Sequence, residues 1–256
     1  TGQNTSIDCQ GTYITGTNAS GRYGIYTDDF NTTVLNCNIS NFQYAIYAAG
    51  TNGFFSNNTL ASTFATGSAL YIGFEINGYN IFANNTATGN AYPGILCDSC
   101  YYNTFANNTV NSTGSAGIYI YNGKSNNITN TTVLAGAYIG LSMNADQAGR
   151  GASNRLLNNT ISNATIGIAM LGTIATNNTF LYNNLTAVVW VNSTATQANY
   201  FNDSASGNIY YFANGTGAWE VFNLIDTSAV QDYWADSGTA RPLNATNAVG
   251  NWSGTH

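Results

Sequence analysis

Apolar and polar residues alternate along this chain in short bursts, and the bursts recur. One unit reads apolar, spacer, Asn, Asn, Thr, apolar. It appears as Phe55 to Leu60, Phe82 to Ala87, Phe105 to Val110 and Leu156 to Ile161, with degenerate copies at Val34 to Ile39, Ile128 to Val133 and Phe180 to Leu185. A second unit is a small residue followed by a β-prone pair: Gly24-Ile25-Tyr26, Ala45-Ile46-Tyr47, Ala69-Leu70-Tyr71, Gly94-Ile95-Leu96, Gly117-Ile118-Tyr119, Gly140-Leu141-Ser142 and Gly167-Ile168-Ala169. The units recur about every 24 residues, and the second column steps through positions 25, 46, 70, 95, 118, 141, 168 and 188. A fixed period of this size marks a solenoid, a propeller or another array.

Each repeat holds two or three short strands rich in Ile, Val, Tyr, Phe and Thr, and no stretch carries a helical period with a charged face. A propeller blade needs about 40 residues and four hairpin-joined strands, and a leucine-rich signature is missing. The pattern predicts an all-β chain: a right-handed parallel β-helix solenoid of roughly nine turns over residues 1–207, with an irregular C-terminal cap or docking segment over 208–256. Coils stacked at the strand spacing make a rod about 40 Å long. Asn suits the turn between two strands because it tolerates the left-handed conformation. If the first Asn of each pair points outward, the second is free to point inward and hydrogen-bond from coil to coil. Phe55, Leu60, Phe82, Phe105, Val110, Leu156 or Leu157, and Ile161 form the core.

Through these Asn-Asn-Thr turns and small-Ile-Tyr strands, over approximately residues 5 to 210, the chain resembles the right-handed parallel β-helix, or pectin-lyase-like, superfamily. Within it, the likeness is to the short-repeat cell-surface β-helices of archaea and bacteria. The resemblance implies the fold. For function it implies only a range: polysaccharide lyases, hydrolases, adhesins, phage spikes and surface-layer components.

Composition narrows that range. Only 6% of the residues are charged and the net charge is −6, with Arg22, Lys124, Arg150, Arg155 and Arg241 the only basic side chains besides His256, so the basic footprint of a nucleic-acid binder is missing. No run of 18 apolar residues suggests a membrane span. The start at Thr1 without Met reads as a processed form. About nineteen Asn-x-Ser/Thr sequons occur, with Asn18, Asn31, Asn57, Asn84, Asn107, Asn127, Asn163, Asn192 and Asn214 as glycosylation candidates. Attached N-linked glycans would keep a weakly charged rod soluble outside the cell. Cys9 and Cys37 fall in one column a turn apart, where neighbouring Cα atoms lie within disulfide range, so the spacing predicts a Cys9–Cys37 staple. Cys97 and Cys100 lie in the turn after a strand. A local loop disulfide is favoured there over a redox motif, which needs a helix, or a zinc site, which needs a second Cys pair.

The weak candidates for chemistry are Asp29, Glu75, Asp98, Lys124, Asp146 and Arg150, which follow the second strand column on loops down one side of the rod. The longest insertion runs from Asn144 to Ser153. A lyase needs clustered carboxylates holding Ca²⁺ and a base converging on one atom, whereas these residues spread over six turns. No metal-ligand set is legible, so no cofactor is expected beyond adventitious Ca²⁺. Trp219, Trp234 and Trp252 gather in the tail as interface candidates. The sequence therefore points to an extracellular, non-enzymatic, glycosylated subunit that self-associates into a surface layer, sheath or filament. The alternatives are a polysaccharide lyase or hydrolase along Asp29, Glu75, Asp98 and Lys124, and a glycan-binding adhesin using Tyr26, Tyr47, Tyr71 and Tyr119 as stacking platforms.

Overall fold

A computed structural model describes residues 2–73, 78–136, 138–147, 149–172, 174–195 and 199–201, together with strand segments from Asn208 onward. The described residues contain strands and no helix. One sheet stacks nine parallel strands, beginning with Ser6–Asp8, Thr33–Leu35 and Phe54–Ser56 and ending with Thr179–Leu181 and Asn199–Tyr200. Nine strands bound about eight coils. Within each coil a second strand (Thr59–Ser62, Thr86–Gly89, Thr109–Ser112) and a third (Leu70–Gly73, Ile95–Asp98, Ala116–Tyr121) stack in the same parallel register. By Thr160–Leu171 and Asn184–Ser193 the second and third strands have fused into one.

The turn chemistry explains the Asn content. Two columns of left-handed residues flank the first sheet. Asn36, Asn57, Asn84, Asn107, Asn130 and Asn158 follow its strands, and Asn4, Asn31, Asn52 and Asn177 precede them, all at φ between 51° and 61°. Asn meets this need because its short polar side chain relieves the left-handed penalty. Beside each column a buried ladder runs inside the rod. In one, the N–H of Asn58 donates to Asn85 Oδ1 at 3.0 Å and that of Asn85 to Asn108 Oδ1 at 2.9 Å. Thr131 interrupts the file, and it resumes through Asn159, Asn183 and Asn208. In the other, Asn80, Asn103, Asn126, Asn154, Asn178 and Asn199 are linked in the same way. Each ladder amide also donates to a main-chain carbonyl, as Asn126 Nδ2 does to Cys100 O at 2.9 Å. Buried amides are thus satisfied by neighbours of their own kind.

Apolar residues stack like on like between the ladders. Phe55, Phe82 and Phe105 are buried with ring centroids 4.8 and 5.2 Å apart, and Phe180 stacks on Phe201 at 4.6 Å. Leu156, rather than Leu157, fills the core position of its coil. The small residues before each Ile have a steric cause: a Cβ on Gly140 would strike Ile161 of the next coil and come within 2.7 Å of the Gly167 carbonyl. The register corrects one step of the sequence reading, because Ile168 pairs with Val191 and not with position 188. Trp190 then occupies the small-residue position and is fully buried.

Cys9 and Cys37 are bonded, with Cα atoms 4.8 Å apart. Cys97 and Cys100 are also bonded; Cys97 lies within the strand Ile95–Asp98 rather than after it, and both sulfurs join the core. Loss of the first bond, by Cys37→Ala with Cys9→Ala, is expected to lower the opening free energy of the first coil by about 3 kcal/mol. Hydrogen exchange at Ser6–Asp8 and Tyr13–Thr15, faster by roughly two orders of magnitude, is the corresponding readout.

The two ends differ. Ser6–Asp8, Tyr13–Thr15 and Tyr23–Thr27 each pair on one side only among the described residues. At the other end parallel pairing continues through Asn208–Tyr211, and antiparallel strands follow: Ala218–Val221, Ile225–Asp226 and Asp232–Ala235 lie against the last coils. Trp219 and Trp234 belong to these strands and Trp252 to Trp252–Gly254, which pairs antiparallel with Ala218–Val221; the three side chains lie outside the described residues.

Candidate functional site

Alternation along the third strand sends one residue of each coil outward next to the buried Ile. Register aligns Tyr26, Tyr47, Tyr71, Leu96, Tyr119 and Ser142 in that outward column. Tyr23 and Tyr44 stand beside it, their rings stacked at 5.8 Å, while Tyr47 stacks on Tyr71 at 4.6 Å. The rings of this group therefore touch one another, face to face in these two pairs and tilted or edge-on in the rest, and exposure falls from 45% at Tyr26 to 7% at Tyr71. Packing of this kind strengthens the sheet.

The candidate charged residues meet this stripe unevenly. Asp98 ends its strand, accepting from Tyr71 Oη at 2.9 Å and from Ser99 Oγ at 3.3 Å. The loop after Asn144 doubles back across two coils, so that Arg150 Nη1 lies 3.5 Å from Ser99 Oγ. Asp146 accepts from the Tyr121 hydroxyl and, at 2.6 Å, from Asn122 Nδ2. These bonds, with Arg150 adding to them, hold its carboxyl below the ordinary Asp range. Arg150 is thus brought back from the coil of Asp146 toward that of Asp98, two coils away, by a loop fold that strand spacing does not encode.

The remaining candidates lie apart. Lys124 forms an isolated bridge with Tyr101, three residues further round the coil than Tyr121, the partner of Asp98. Asp29 belongs to the first coil, where it accepts from the Gly2 N–H at 2.7 Å and borders an opening onto the core lined by Ile7, Ile25 and Thr32. Glu75 lies outside the described residues. No group of three or more His, Cys, Asp and Glu comes together among the described residues, and no helix there is long and apolar enough to cross a membrane.

Among the glycosylation candidates, Asn18, Asn31, Asn57, Asn84, Asn107 and Asn163 are exposed, Asn127 and Asn192 are half-buried, and Asn214 lies outside the described residues.

Burial and the Asp98 carboxylate push the Tyr71 hydroxyl far above its ordinary value, and burial first of all raises Tyr44, Tyr47 and Tyr119. In the unfolded chain these phenols ionise near pH 10. The unfolded state then holds fewer protons than the folded one, so stability is complete below about pH 10 and falls as pH rises above it. Melting temperatures taken from about pH 8 to 11 are expected to drop beyond 10. Tyr71→Phe is expected to flatten the drop, and an unchanged slope would contradict this origin.

Sequence reading missed the second Asn ladder, the Tyr71–Asp98 contact and the reach of Arg150. A residue-level sign of that ladder does exist: Asn two places before each core residue, as in Asn80-Ile81-Phe82, Asn103-Thr104-Phe105 and Asn154-Arg155-Leu156.

A family model described as a right-handed β-helix region matches residues 3–161. No curated protein matches the chain.

Proposed function

The chain belongs to the right-handed β-helix family, and from that premise we propose that it is a secreted, N-glycosylated structural protein, one subunit of a cell-surface layer, sheath or extracellular filament. The observation that carries this reading is the strand edge of the described first coil, which pairs on one side only and presents Tyr13, 77% exposed, beside half-buried Ile7 and Ile14. An exposed strand edge with apolar side chains recruits another chain unless it is covered. A contact between the tail of one copy and the first coil of the next is heterologous, and repeated it gives an open filament rather than a closed ring. Two disulfides suit an oxidising, extracellular setting.

Catalysis is a poorer fit to the same geometry. Asp98 and Asp146 sit about two coils, on the order of 10 Å, apart. Both are tied up by phenols, and their separation keeps them from converging on one substrate atom. What favours a second reading, polysaccharide binding, is the row of tyrosine hydroxyls beside Asp98 and Arg150. Retardation of the protein in gels containing acidic polysaccharide, lost in Arg150→Ala, would support it.

Electron microscopy and light scattering at high protein concentration test the favoured reading. End-to-end assemblies are expected from the native sequence, and Ile14→Lys, which charges this strand edge, is expected to abolish them. Monomeric rods about 40 Å long at every concentration would overturn the proposal.

A further inference from the structure

We propose that the exposed Asn column beside the first sheet is a stacked array of N-glycan acceptors that can be filled only on alternate coils. The inference rests on the glycosylated reading above and adds to it which sites can be occupied together.

Asn57, Asn84, Asn107, Asn130 and Asn158 are exposed, share the left-handed conformation, and occupy five successive coils. Their main chains are locked one above another: Asn57 N–H donates to Ala83 O, Asn84 N–H to Ala106 O, Asn107 N–H to Thr129 O and Asn130 N–H to Leu157 O, at 3.0 to 3.2 Å. All five begin a sequon, and the hydroxyl residues of those sequons, Thr59, Thr86, Thr109, Thr132 and Thr160, pair in register on the outer surface of the second strands. The middle residue is the buried ladder Asn (Thr131 in one coil). Each acceptor is therefore one outward amide on a rigid rail.

The rail spacing sets the limit. Neighbouring coils are about 4.8 Å apart, which is less than the width of a pyranose ring carrying an acetamido group, and N-linked chains are bulkier still. A sugar on Asn84 thus covers the amides of Asn57 and Asn107. Two coils, about 10 Å, leave room for a second chain.

In the transfer itself, the acceptor Nδ2 displaces a phosphate-type leaving group from C1 of an activated sugar donor. The N–C1 bond forms as the C1–O bond breaks; one amide proton goes to a base and the electron pair leaves with the phosphate. The amide keeps its other N–H. That one suffices for the outer file, where Asn158 Nδ2 donates to Asn130 Oδ1 at 2.8 Å.

Folded protein secreted from a host that attaches N-glycans provides the test. No Lys or Arg lies between Arg22 and Lys124, so trypsin after reduction releases residues 23–124 as one peptide carrying Asn57, Asn84 and Asn107 together. Fragmentation of that peptide in a mass spectrometer reads which sites are filled on the same molecule. Expected are Asn57 and Asn107 filled together, and Asn84 filled only where both neighbours are bare. Thr86→Val, which removes the central acceptor, should raise joint occupancy of Asn57 and Asn107 at least twofold. Asn84 and Asn107 filled together as often as their separate occupancies multiply would overturn the inference while leaving the glycosylated reading intact. Sugar at no sequon would overturn both.

Discussion

Replacing Asn126 by Ala is expected to lower the stability of the rod by about 4 kcal/mol, because three buried polar partners lose their counterpart at once. The side chain accepts from the Asn103 N–H at 3.0 Å and from Asn103 Nδ2 at 3.2 Å, and it donates to the Cys100 carbonyl at 2.9 Å and to Asn154 Oδ1 at 3.0 Å. Asn126 is 1% exposed, so water does not reach the groups left behind. Each orphaned donor or acceptor costs about 1–3 kcal/mol, and a small side chain adds an unfilled space. Asn130→Gly, in the exposed left-handed column four residues on, is the contrast. Gly adopts that conformation freely and no buried partner is lost, so a change within about 0.5 kcal/mol is expected. Urea midpoints of the two variants measure the difference. Equal shifts would mean that the inner ladder is no more than turn chemistry.

Trp190→Ala is expected to cost about 3–5 kcal/mol, the range for emptying a large aromatic site in a core. Gly24, Ala45, Ala69, Gly94, Gly117, Gly140 and Gly167 hold the equivalent corner in earlier coils, where the coil below leaves no space. Under Trp190 the neighbour is the antiparallel strand Asp232–Ala235, pairing through Val189, Val191, Asn192 and Ser193, so the corner accepts an indole. Fast exchange confined to Asp232–Ala235 and Asn184–Ser193, with Tyr13–Thr15 unaffected, would mark the loss as local to the closed end. A uniform effect along the rod would show that the coils open as one unit.

The fold was legible because the period and the strand spacing act in the same direction. Ile25, Ile46, Leu70, Ile95, Ile118, Leu141 and Ile168 are bound to pile up once each coil spends its slack in loops, and the Cys9–Cys37 distance follows from the same geometry. The reading fails at the end of the series, where the column steps to 188 while Ile168 pairs with Val191. A bulky Trp190 in the small-residue position breaks the pattern where, among the described residues, an antiparallel strand stands in for the third strand of a next coil. The second ladder went unread because Asn80, Asn103 and Asn126 have no Asn-Asn-Thr flank. Their partners are defined by coil closure rather than by sequence neighbours. The candidate site was the least legible part. Stacking rules place Asp98 and Tyr71 on one face, but only the loop after Asn144 decides that Arg150 turns back toward Ser99. Similarly, exposed tyrosines read as sugar platforms in sequence, whereas 4.6 Å stacking of Tyr47 on Tyr71 uses their faces internally.

Both inner files point the same way. Every amide oxygen in them is turned toward the first coil, accepting from the main-chain N–H one coil before it, as Asn80 Oδ1 does from Gly53, Asn58 Oδ1 from Cys37 and Asn85 Oδ1 from Asn58. Their small dipoles add rather than cancel and polarise one another along the axis. The buried amides thus give the rod a built-in sense of direction: from Asn58 to Asn208 every Asn rung is the same way up, and turning one over would break the bonds on both sides of it.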